Sequence, residues 1–143
     1  MGFSFKYKSV KLKTGDIIHR PMIPLTIRGK DSLDIIAILD SGSDMTIIPK
    51  EIAEFIDIEY IGFNEISGIS GIPVKAKQGK VMMSFGKGRE IYDFWMPVLV
   101  PTEKENIPIV IGRLGFFDQF KITFSESEKK IGFKKINPGN IKF

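Results

Sequence analysis

The chain has 143 residues, enough for one domain with a real hydrophobic core and too few for two comfortable ones. It has no cysteine and a single histidine, His19, which excludes a disulfide framework, a Cys metal site, a His-based zinc site and a Ser-His-Asp triad, unless symmetry copies the histidine. The net charge is +4, the pI is about 9.2, and no Lys/Arg run exceeds two residues, so the charge reads as a solvated surface and not as a nucleic-acid patch.

No apolar stretch reaches the length of a membrane span, and no signal peptide is visible. Lys6 stands where a myristoylation signal wants Ser or Thr. These features predict a soluble cytoplasmic protein without membrane or nucleic-acid partners.

Taken in order, Phe3-Ser4-Phe5-Lys6-Tyr7-Lys8 alternates apolar and polar, the mark of a strand with one buried face. Thr14-Gly15-Asp16 is a turn, and Ile17 to Pro21 leads into a second alternating strand, Ile23 to Ile27. Pro21 and Pro24 push this region toward a sheet edge, since proline has no N–H for a ladder. Arg28 to Asp31 is a hairpin turn into Leu33 to Leu39. That strand ends in the run Ile35-Ile36-Ala37-Ile38-Leu39, followed by Asp40-Ser41-Gly42-Ser43-Asp44.

A carboxylate at the end of a buried strand must be paired or neutralised, so Asp40 is either hydrogen-bonded structure or chemistry. Taken alone, Asp-Ser-Gly is an ordinary turn. Met45 to Pro49 is a short strand. Pro49 to Ile56 has helical spacing, with Pro at the first position and Glu51 in the first turn.

Glu65 to Phe85 contains Ile66-Ser67-Gly68-Ile69-Ser70-Gly71-Ile72-Pro73-Val74, two apolar arms around a Gly/Ser tip. Such a tip predicts a projecting hairpin, because glycine tolerates positive φ and brings no packing side chain. Ile66, Ile69 and Ile72 would be odd on an ordinary surface hairpin unless they cover something. After a turn at Gly86 to Arg89, Ile91 to Val100 is an aromatic and β-branched strand, with Trp95 assigned to the core.

Pro108-Ile109-Val110-Ile111-Gly112-Arg113 is a second buried strand ending on glycine and a cation. Leu114 to Phe120 has the spacing of a short helix, weakened by Gly115. Phe120 to Phe124 and Lys130 to Ile136 form a closing hairpin through Ser125 to Glu128, and the tail from Asn137 is turn-like. About nine short strands and one or two short helices predict an all-β fold, a small closed barrel or sandwich.

Four stretches in this order resemble the retropepsin-like aspartic proteases, of which retroviral proteases are the best-known members. His19-Arg20-Pro21 looks like the family's N-terminal segment. Ala37 to Asp44 resembles the catalytic loop, Ile66 to Gly71 the flap tip, and Ile109 to Arg113 the strand behind the active site. The resemblance covers about residues 17–136 of a single domain spanning 1–143. It implies a closed small β barrel of the acid-protease type and an aspartic endopeptidase with no metal or other cofactor.

Asp40 would be catalytic, Ser41 would brace the loop, and Asp44 and Arg113 would pair beneath it, joined by Arg20 of a partner chain. Gly42 would let two backbones approach closely. Ile66, Ser67, Gly68 and Ile69 would form the substrate-binding flap, with Ile47 and Ile109 or Ile111 lining apolar subsites.

Amide hydrolysis by this chemistry needs two carboxylates, one acting as base on a water and one as acid on the leaving nitrogen. The chain holds one Asp-Ser-Gly loop, so a second copy must supply the other. A homodimer acting on a peptide or unfolded protein is therefore expected. Two alternatives are a catalytically silent peptide-binding or dimerisation module of the same fold, and a basic nucleic-acid-binding barrel. The latter would need exposed stacking aromatics on a basic face.

Overall fold

The computed structural model describes residues 2–67, 73–103 and 106–136; the side chains of 63–67 and 73–74 are outside that description. The chain forms β1 (Phe3–Lys6), β2 (Lys8–Lys11), β3 (Ile17–Arg20), β4 (Met22–Arg28), β5 (Ser32–Leu39) and β6 (Thr46–Ile47). Helix α1 (Lys50–Ile56) follows, then β7 (Glu59–Ser67), β8 (Pro73–Lys87), β9 (Glu90–Pro101), β10 (Val110–Ile111), β11 (Phe120–Ser125) and β12 (Lys130–Lys135).

The largest sheet runs β4-β5-β10-β6-β9-β8-β7, and β8 also pairs with β4. That extra pairing joins the two ends of the row and closes a six-stranded barrel, with β7 attached outside it. The all-β barrel expected from the turn spacing is thus present. Pro24 fits because β4 meets β8 only from Thr26 to Arg28, leaving Pro24 with a ladder partner on one side alone.

A three-stranded sheet, β1-β12-β11, packs on the barrel through aromatic rings. Phe85 of β8 is fully buried and touches the rings of Phe3, Phe5, Phe116, Phe120 and Phe133 at centroid separations of 4.8–5.7 Å. A fully buried ring of this kind contributes about 1.5–3 kcal/mol by leaving water. This cluster ties the first and last strands to the barrel. β2 and β3 form a separate two-stranded ribbon.

Several expectations are corrected. The N-terminal run is two strands and not one, broken at Tyr7, whose side chain enters the core and whose N–H donates to the Lys129 carbonyl at 2.8 Å. Leu114 to Gln119 is a series of turns and not a helix, and Phe120 already opens β11. Gly115 there has φ +86°, a left-handed value that ends helical geometry.

Trp95 lies outside the barrel, 56 % exposed, with the Lys80 ammonium 5.0 Å above its ring. Strand alternation explains it: Met96 and Val98 face the core, so Trp95 must face out. Helix α1 begins one residue later than predicted, with Pro49 just ahead of its first turn, and ends on Asp57 in the left-handed region. The tail from Asn137 lies outside the described residues.

Candidate active site

β5 and β10 run parallel and side by side, with Ile38 opposite Val110 and Leu39 opposite Ile111. Both strands stop together. The Asp40 N–H donates to the Ile111 carbonyl at 3.0 Å, so Asp40 is the first residue past the end of a strand in the barrel wall.

The loop that follows is held mostly by its own backbone. The Asp40 carboxylate accepts the Gly42 N–H at 2.9 Å, and the Ser43 N–H reaches the Asp40 carbonyl at 3.2 Å. The Ser43 hydroxyl donates to the Met45 carbonyl at 2.8 Å. Across the gap, the N–H groups of Arg113 and Leu114 donate to the carbonyls of Ser43 and Asp44, each at 2.9 Å. The segment after β10 therefore underpins the loop after β5.

The side chains of Asp44 and Arg113 complete this brace with an ion pair. Its position follows the resemblance, but its setting differs. Asp44 is 83 % exposed and Arg113 52 % exposed, so within one copy of the chain the pair lies on an open surface. Asp40, Ser41 and Gly42 are exposed as well. A depression on the outside of the barrel, lined by Pro24, Thr26, Asp34, Ile36, Ser84 and Ile91, does not include Asp40.

Two residues of the brace had no role assigned from the sequence, although Gly112 belongs to the run Ile109 to Arg113. Thr46 is completely buried and its hydroxyl accepts the Gly112 N–H at 3.1 Å. Gly112 is buried against the loop so closely that a Cβ there would lie 2.3 Å from the Met45 carbonyl oxygen. Glycine after the apolar run Ile109 to Ile111 was the available signal for that approach.

Of the proposed subsite residues, Ile47 and Ile109 are half-buried and border the loop, while Ile111 is fully buried in the core and unavailable to a ligand. Ile66 and Ser67 end β7, whose partner β8 begins at Pro73; Gly68 and Ile69 lie outside the described residues. His19 is exposed on β3. Among the described residues, no group of three or more His, Cys, Asp or Glu side chains could hold a metal ion. No helix among them is long and apolar enough to cross a membrane.

No protein-family model matches the chain, and no curated protein matches it. Solved structures do. A retropepsin-like aspartic protease from Rickettsia conorii superposes with a TM-score of 0.53 at 11% identity, covering 93% of this chain and 91% of that one. The EIAV protease in complex with the inhibitor HBY-793 aligns with a TM-score of 0.44 at 20% identity, covering 66% of this chain and 82% of that one. With a closed six-stranded barrel, the paired ends of β5 and β10, and this near full-length superposition, the chain has the retropepsin-like fold.

Proposed function

We propose that the chain is an aspartic endopeptidase whose active centre forms between two copies, each contributing Asp40. The observation that carries the reading is the placement of Asp40. Its carboxylate stands exposed just past a barrel strand, on a loop braced from Arg113, in a retropepsin-like fold.

The exposure is what a half-site requires. A lone ionised carboxylate can take a proton from water, but it leaves no acid already in place to meet the charge that develops on the amide as the water attacks. Two carboxylates within about 3 Å cannot both ionise, and so share one proton, as aspartic proteases do generally. One then activates water while the other hands its proton to the amide nitrogen. A two-fold axis through the two loops supplies that geometry with a single gene product.

The Asp44–Arg113 pair and the Thr46–Gly112 bond keep each loop in place, so the second copy meets a preorganised surface. The hairpin of β7 and β8 would cover the substrate, whose extended backbone suits strand addition.

The test is digestion of an unfolded protein at acid pH, with a chelator present, by the parent and by Asp40→Asn. Cleavage by the parent that disappears in the variant supports the reading. Equal cleavage by both, or peptide binding without cleavage by either, counts against it; the second result fits the silent binding module.

A further inference from the structure

We infer that the β2–β3 ribbon is an arm with which each copy of the chain grips a second copy. The inference rests on the two-copy active centre proposed above and assigns a surface to it.

The first argument is position. β3 runs into β4 through the single residue Pro21, whose carbonyl accepts the Leu39 N–H at 2.9 Å. β4 and β5 are in register with Met22 opposite Ile38, so continuing the ladder puts Pro21 opposite Leu39 and Arg20 beside Asp40. Cross-strand neighbours lie about 5 Å apart. If two Asp40 carboxylates stand about 3 Å apart, the chain at Arg20 is next to the second copy by necessity. From there β3 leads away over four residues, about 13 Å of extended chain.

The second argument is that the ribbon lacks support of its own. Among the described residues β2 and β3 are hydrogen-bonded only to each other, from Lys8 opposite Arg20 to Lys11 opposite Ile17. A two-stranded ribbon is marginal in water without a third strand or a covering surface. Ile17 is 64 % exposed on it, an apolar side chain with a large area left for contact.

The third argument is charge. The ribbon presents exposed Lys8, Lys11 and Lys13, with Arg20 at its base. Its one acid, Asp16, accepts a hydrogen bond from Thr14 at the turn. The face around the Asp40 loop has the opposite character. It presents the carboxylates of Asp40, Asp44 and Asp118 against the guanidinium of Arg113, which pairs with Asp44, and it exposes Leu114, whose N–H donates to the Asp44 carbonyl. A basic arm bearing an exposed isoleucine matches an acidic face bearing an exposed leucine. A two-fold axis makes the exchange reciprocal, each arm lying on the other copy's loop face.

The test uses Lys8→Glu/Lys11→Glu/Lys13→Glu, three exposed positions whose reversal leaves the core untouched, with circular dichroism to confirm the fold. Ile17→Asp is a second, independent variant. The monomer–dimer equilibrium is measured by sedimentation over a dilution series at low and moderate salt, alongside KM and kcat. The expected result is a dimer dissociation constant at least tenfold higher in both variants, a parent dimer that weakens as salt rises, and activity restored at high protein concentration.

A dimer as tight as the parent's overturns the arm. So does a change confined to KM, which would make the lysines contacts for acidic substrates. In either case Asp40-dependent cleavage by that dimer leaves the two-copy centre standing. A parent that stays monomeric at every concentration overturns both.

Discussion

The buried hydroxyl of Thr46 accepts the Gly112 N–H at 3.1 Å, tying β6 to the residue that follows β10. This bond joins the two ends of the brace that holds the Asp40 loop. Thr46→Val keeps the shape and removes the acceptor, leaving a buried N–H unsatisfied. The expected loss is about 1–3 kcal/mol of stability, with Thr46→Ser much closer to the parent. Urea denaturation of the three proteins measures it, and a valine variant as stable as the parent would show that the bond contributes nothing.

Gly112 is the neighbouring pressure point. A methyl group there meets the Met45 carbonyl oxygen at 2.3 Å and the Met45 nitrogen at 2.8 Å, both backbone atoms. Gly112→Ala must therefore displace the loop. We expect at least a tenfold loss of peptidase activity together with a lower melting temperature. Retention of full activity would mean that loop position is not critical.

The exposed Asp44–Arg113 pair separates two contributions. In one protomer it is solvated, so Arg113→Gln should change unfolding stability, measured at high dilution, by less than about 1 kcal/mol. In a dimer that covers the loop face, the same change strands the Asp44 carboxylate away from water. Dimer affinity should then fall at least tenfold. An unchanged dissociation constant would place the pair outside the interface.

Phe85 and Trp95 give a contrast across the barrel wall. Phe85→Ala removes the ring at the centre of the aromatic cluster and should cost about 3–5 kcal/mol. Trp95→Ala, on the outer face, should cost less than about 1 kcal/mol, the range of most surface changes. Denaturant midpoints compare the two directly; a larger effect at Trp95 would reverse the assignment of faces.

The contrast also marks what the sequence makes legible. Alternation in Phe3 to Phe5 and in Lys130 to Phe133 identifies inward rings, because polar residues mark the outer face. In Phe94-Trp95-Met96 three apolar residues stand in a row, so periodicity cannot say which way Trp95 points. Asp40 drew notice because a long apolar run ends on it, and became a candidate only because the Ile66 to Gly71 and Ile109 to Arg113 stretches follow in order. Its brace was only partly legible: Arg113 follows an apolar strand in plain view, but Thr46 declares itself only through a hydrogen bond to a residue 66 positions away.

The closure of the barrel by β4 and β8 is of the same long-range kind, with Thr26 opposite Ser84. The helical spacing of Leu114 to Phe120 misled because Gly115, in its left-handed conformation, turns the chain before a helix can form.

The most direct measurement is a mixing series. Parent and Asp40→Asn chains are combined at fixed total concentration, allowed to exchange subunits, and assayed on an unfolded substrate. If each centre needs an Asp40 from both copies, activity falls as the square of the parent fraction. A linear fall would mean that one chain carries a complete centre, and the two-copy account would be wrong.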